Sequence, residues 1–135
     1  MILADTGYLI ALANPDDQHH ARALAWATCL SDPILVTEYV VWEFVNFLSR
    51  PQHRATAHAM VGLVRAESVW VAASPEWLEA GLALHRSRPD KAWSLTDCIS
   101  FRVMHDRGVT RALAHDLHFE QAGFEALLRT DPPAR

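Results

Sequence analysis

Short apolar runs alternate along the chain with longer stretches in which apolar residues recur every three or four positions. Ile2–Ala4 is a short apolar run ending on Asp5. Residues 7–13 then read as a helix that stops at Asn14-Pro15-Asp16-Asp17. Residues 19–30 carry Ala21, Leu24, Ala25, Thr28 and Cys29 at helical spacing, and Ile34–Thr37, just after Asp32-Pro33, reads as a strand. Residues 38–48 return to a helix with Val41, Phe44, Val45 and Leu48 on one stripe. Pro51 is expected to end that helix, and residues 54–65 to form the next. Residues 68–72 are a strand candidate, and Ser74-Pro75-Glu76 has the order of an N-cap followed by a first-turn proline, leading into a helix over 77–85. A polar break at 86–91 precedes a helix over Leu95–Arg107, closed by Gly108. Residues 112–115 and 124–128 are the last strand candidates, and the tail 131–135 is expected to fray. This alternation predicts an α/β domain with a mainly parallel sheet, and no repeat or linker divides residues 1–135.

Composition agrees. The 135 residues are 50% hydrophobic and 21% charged, as in one packed domain rather than a disordered chain. Lys and Arg total 12 against 16 for Asp and Glu, a formal net charge of −4. That balance excludes a domain that holds nucleic acid by bulk charge, although it leaves local binding open. Two cysteines, Cys29 and Cys98, are too few for a disulfide framework and read as small buried hydrophobes in a reducing compartment. No run reaches the ~20 apolar residues of a membrane span, and no basic segment leads the first apolar run, so a cytoplasmic location without membrane contact is expected.

Four acids change the picture. In an open parallel sheet, functional groups gather at the carboxyl ends of the strands. Asp5 follows the first strand and Asp116 follows the strand at 112–115, so the two can meet if those strands are neighbours. Glu43 sits in a helix among Val41, Trp42, Phe44 and Val45, where a carboxylate entering an apolar interior needs a partner. Asp97 opens the helix after Trp93-Ser94-Leu95-Thr96. Each has a structural alternative: Asp5 and Asp116 as helix or turn caps, Ser94-x-x-Asp97 as a capping box, Glu43 as a solvent-facing residue. Together, carboxylates at close quarters repel unless a cation neutralises them, and oxygen ligands suit Mg²⁺ or Mn²⁺. Beside a phosphodiester such an ion activates water and stabilises the leaving oxygen.

Asp5-Thr6-Gly7-Tyr8-Leu9-Ile10, Glu43 within residues 37–44, Ser94-Leu95-Thr96-Asp97-Cys98 and Asp116-Leu117-His118-Phe119 together resemble the PIN-domain ribonucleases, above all the VapC-type toxins of toxin–antitoxin pairs. The resemblance runs from Met1 to about Leu128. It implies a three-layer α/β/α sandwich around a mainly parallel sheet, Mg²⁺- or Mn²⁺-dependent cleavage of RNA that leaves a 5′-phosphate, a homodimer, and a cognate antitoxin whose tail blocks the site. Position by position it makes Asp5, Glu43, Asp97 and Asp116 the acidic quartet that holds metal, with Thr6 as the hydroxyl partner and Thr96 as a further candidate. The chain departs from the pattern at Ala114, where many relatives carry Thr or Ser. His115 is a replacement for that hydroxyl only if it faces the site, and it is expected to point away.

The remaining polar residues are weaker signals. Eight histidines, among them His115-x-x-His118 and His19-His20, lack zinc-site spacing and read as surface residues, with His118 the one placed to face a phosphate. Arg50, Arg88 and Lys91 fall in loops and are the candidate RNA-phosphate contacts. Trp26, Trp42, Trp70 and Trp77 are expected in the core or at a dimer contact, while Trp93 in the polar break is a lesser candidate for base stacking. Two other functions fit the same residues: a non-catalytic PIN-like module that binds RNA or protein, and a metal-dependent nuclease or phosphatase with another substrate.

Overall fold

A computed structural model describes residues 1–134. Five strands, β1 (Ile2–Ala4), β2 (Ile34–Thr37), β3 (Val69–Val71), β4 (Arg111–Leu113) and β5 (Glu125–Ala126), pair in the order β3-β2-β1-β4-β5, all parallel. Between and after them run α1 (Thr6–Ala13), α2 (His20–Cys29), α3 (Glu38–Phe47), α4 (Pro51–Glu67), α5 (Pro75–Ser87), α6 (Leu95–Arg107) and α7 (Leu117–Gln121), with a 3-10 turn at Leu127–Arg129.

Strand side chains alternate between two cores. Ile2, Ala4, Val36 and Leu113 face one, where Leu9, Trp26, Phe44 and Val64 of α1 to α4 cover them. Leu3, Leu35 and Ala112 face the other, under Ile99, Phe101 and Met104 of α6, Phe119 of α7, and Trp77 and Leu84 of α5. Two apolar layers on one sheet make the expected three-layer sandwich, and the near-continuous apolar strands follow from burial on both faces.

The register brings the ends of β1 and β4 together. Leu3 pairs with Ala112, Ala4 with Leu113, and the Asp5 N–H donates to the Leu113 carbonyl at 3.1 Å. Thr37 Oγ1 accepts from Val40 N at 3.2 Å and starts α3 directly off β2. Ser74 caps α5 with Pro75 behind it, and Ser94 caps α6, which ends at Gly108 with φ 66°, a left-handed residue that glycine adopts without a Cβ clash.

Several boundaries differ from expectation. Pro51 does open a break after α3, but it stands at the first turn of α4, where its missing N–H costs nothing, so that helix starts three residues earlier than 54. The strand expected over 112–115 stops at Leu113, because the Ala114 carbonyl turns to Leu128 N at 3.1 Å. The strand expected over 124–128 is Glu125–Ala126 and then tightens into the 3-10 turn. In the tail, Asp131 pairs with Arg22 at 2.9 Å and Trp26 Nε1 donates to the Thr130 carbonyl at 2.8 Å. Arg135, the end of the segment expected to fray, lies outside the described residues. Among the described residues no helix is long and apolar enough to cross a membrane.

Candidate active site

At the carboxyl ends of β1 and β4 a cavity of about 590 Å³ is lined by Asp5, Thr6, Glu43, Asp97, Asp116 and His118, with Gly7, Asn46 and His115 at its wall. All four acids singled out in the sequence therefore share one cavity, although they come from four separate segments of the chain.

Asp5 does not cap α1, so its carboxylate is left to the cavity. Burial first, then the charges of Asp97, Glu43 and Asp116, push its pKa from 3.8 up to about 8, against the opposing pull of the Thr6 N–H. Thr6, on the first turn of α1, donates its hydroxyl to Glu43 Oε1 at 2.5 Å. Glu43 is exposed, as the solvent-facing alternative had it, and not buried in apolar surroundings. The buried stripe of α3 is Val40, Val41 and Phe44, which leaves position 43 at the helix edge that faces the cavity. The partner that its carboxylate was expected to need is Thr6.

Asp97 keeps both of its readings. It is the last residue of a capping box: Ser94 Oγ accepts from Asp97 N at 3.0 Å, and Asp97 Oδ2 accepts from Ser94 N at 3.1 Å. The same Oδ2 lies 2.9 Å from His118 Nδ1, and among the described residues no hydrogen bond reaches Oδ1. Asp116 likewise caps α7 through Oδ1, which accepts from His118 N at 3.1 Å, while its Oδ2 is 3.3 Å from His118 Nδ1. His118, expected to face a phosphate, lines the cavity and lies between these two carboxylates.

His115 also departs from expectation, since it lines the cavity. Its ring lies across Gly7, where an added Cβ would come within 2.8 Å of Nε2, and it stacks on His19 at 4.1 Å. Burial and the neighbouring His19 lower its pKa. Ala114 is fully buried among the apolar residues of the second core and does not form the cavity wall. A hydroxyl there would sit in the core, so its loss removes nothing from the cavity wall.

Arg50, Arg88 and Lys91 do not line this cavity. Arg88 forks onto Asp90 at 3.0 and 3.1 Å and lies 5.1 Å over the Trp93 ring, and Lys91 Nζ is 3.9 Å from Asp90. Trp93 is only 5% exposed, with Nε1 donating to Gln121 Oε1 at 3.0 Å, so its faces are closed to a base. Thr96 lies instead in an adjoining apolar groove of about 660 Å³ with Tyr39, Trp42, Leu78 and Ile99. Trp42, expected in a core or contact, is 58% exposed there. Asn46 was missed. Its signal was present, because it follows Glu43 by three positions on the same helix edge.

Among the described residues no three His, Cys, Asp or Glu side chains stand ready as a metal-ligand set. The donors nevertheless fit a hard divalent cation. They are carboxylate oxygens, one of them held near-neutral by burial and by its acidic neighbours, and a cation among them would relieve that repulsion.

The chain and its fold are similar to known proteins. Residues 2–125 match the family model described as the PIN domain. The chain is 34% identical over 131 residues to the 23S rRNA-specific endonuclease VapC20 of two Mycobacterium tuberculosis strains, CDC 1551/Oshkosh and ATCC 25618/H37Rv, covering 92% of this chain and 95% of the relative. The fold superposes on the crystal structure of Mycobacterium tuberculosis VapC20, described as a toxin that cleaves the sarcin–ricin loop, with a TM-score of 0.82 at 25% identity over 92% of this chain and 96% of that one.

Proposed function

The chain belongs to the PIN domain family, in its VapC-type branch, and from that premise we propose that it is a cytoplasmic, metal-dependent endoribonuclease toxin restrained by a cognate antitoxin. The observation that carries the reading is the convergence of Asp5, Glu43, Asp97 and Asp116 on one cavity at the carboxyl edge of the sheet. Asp5, Asp97 and Asp116 would hold Mg²⁺ or Mn²⁺, with Glu43 completing the set. When bound, such an ion supplies positive charge that steadies the phosphate and lowers the pKa of water.

The chain's own groups account for the rest. Thr6 fixes Glu43 through one carboxylate oxygen and leaves the other to accept the proton of the attacking water. The new P–O bond forms as the bond to the 3′-oxygen breaks, the 3′-oxygen takes a proton from solvent, and the product keeps a 5′-phosphate. The capping box ties Asp97 to the start of α6, and the capping turn ties Asp116 to α7, so neither carboxylate is free to swing. Trp42 at 58% and Phe47 at 65% exposure, beside the cavity, support a homodimer contact, and Leu24 and Leu63 on another face support a second partner surface for the antitoxin.

The test is cleavage of a 23S rRNA hairpin and of total RNA with Mg²⁺ or Mn²⁺, comparing wild type with Asp97→Asn. Ribosomal RNA is tried first because the VapC20 relative is named for it. Metal-dependent cuts that vanish in the variant support the reading. Equal cutting by both proteins refutes the site. Metal uptake with no turnover on any RNA points to the binding-module alternative, and turnover only on DNA or phosphomonoesters to another hydrolase.

A further inference from the structure

We infer that His118 is a positioning residue that sets the two carboxylates on either side of it for the cation; the assignment rests on the metal-dependent reading above. His118 Nδ1 lies 2.9 Å from Asp97 Oδ2 and 3.3 Å from Asp116 Oδ2, and its own backbone N–H holds Asp116 Oδ1 at 3.1 Å. Only an N–H is attractive to carboxylate oxygens, so Nδ1 carries the proton and shares it between the two. That sharing bridges the two carboxylates of α6 and of the turn before α7, which would otherwise repel one another, above the edge-on packing of Phe101 on Phe119 at 4.9 Å.

The hydrogen bonds also decide which oxygens remain. Asp97 Oδ2 is filled by Ser94 N and His118 Nδ1, which leaves Oδ1 as the oxygen a cation can take. Asp116 spends Oδ1 on the turn and keeps Oδ2 beside the shared proton. A ring at this place therefore orients both ligands, as partners behind metal-binding side chains commonly do, and such partners are worth roughly 10–100-fold in metal affinity. The ring is wedged in place: it is only 24% exposed, while the α7 backbone that carries it is anchored by fully buried Phe119.

Mn²⁺ binding to the intact protein without RNA, followed by titration calorimetry, tests the assignment in wild type, His118→Ala, His118→Asn and His118→Gln. The Asn amide reaches the place of Nδ1, whereas the Gln amide reaches the place of Nε2. The expected result is a roughly 10–100-fold loss of affinity in Ala and Gln, recovery to within about threefold in Asn, and return of RNA cleavage in Ala at high Mn²⁺. Unchanged or tighter binding in Ala, or equal losses in Ala and Asn with folding intact by circular dichroism, overturns it. Wild type that binds Mn²⁺ but cuts no RNA defeats the ribonuclease reading and leaves this assignment standing. Wild type that binds no divalent ion defeats both.

Discussion

Replacing Asp5 by Asn should make the metal-free protein more stable, because the native carboxylate sits where its charge is unwelcome. Burial and the acids around it raise its pKa from 3.8 to about 8. Between those values the folded state binds a proton that the unfolded state has released, so wild-type stability falls as pH rises through that window. At 1.36 kcal/mol per pH unit, the span from 3.8 to pH 7 corresponds to about 4 kcal/mol. Water reaching the cavity screens part of that, leaving about 2–4 kcal/mol for an uncharged isostere to recover. For a domain of this length each kcal/mol moves the melting temperature by roughly 3 °C, so Asp5→Asn should melt about 6–12 °C higher in EDTA at pH 7. The gap should fall to less than half at pH 5, where the wild-type penalty is smaller. Thermal unfolding followed by circular dichroism at both pH values reads it. Adding Mn²⁺ should reverse the order, raising the wild type and not the variant. A variant less stable than wild type in EDTA at pH 7, or a gap indifferent to pH, would show that Asp5 is not held in that environment.

The same proton couples to metal binding. Mn²⁺ affinity should rise about tenfold per pH unit below pH 8 and level off above it, with close to one proton released per ion in calorimetry run in buffers of different ionisation enthalpy. Thr6→Val should slow RNA cleavage roughly 10–100-fold with the melting temperature little changed, because Glu43 loses the hydroxyl that fixes it, and Thr6→Ser should retain most of the rate. Gly81→Ala should destabilise by about 1–3 kcal/mol in urea unfolding, since α5 and α6 pack so closely that a new Cβ would lie 2.3 Å from Ile99 Cγ1.

How much could be read from the sequence depended on the range of the interaction concerned. Local signals were reliable: Ser74-Pro75 and Ser94-x-x-Asp97 mark helix starts because a cap is satisfied within four residues. Three of the acids were legible because Asp5 and Asp116 follow strands and Asp97 opens a helix at the sheet edge, while Glu43 stood out as a carboxylate among the apolar residues of α3. Pro51 misled, since a proline that ends one helix is also the best first residue of the next. The surroundings of His115 and His118 were not legible for a different reason. They come from groups met across the fold, His19 and Gly7 in one case and Asp97 in the other, and no spacing along the chain records those meetings. Base stacking stayed open as a lesser reading for Trp93 because its neighbours along the chain are polar, yet Phe101 of α6 meets its ring edge-on at 5.1 Å and closes it in.

The sheet order has a consequence for the timing of synthesis. β1 leaves the ribosome before all of α1 to α6 and its neighbour β4 only after them, so the strand that precedes Asp5 waits through that stretch with one edge unpaired. Asp116 follows β4 by only a few residues. A chain stalled or cut short before β4 therefore has only Asp5, Glu43 and Asp97 of the four cavity acids, and no closed cavity. The four meet only once β4 has taken its place beside β1.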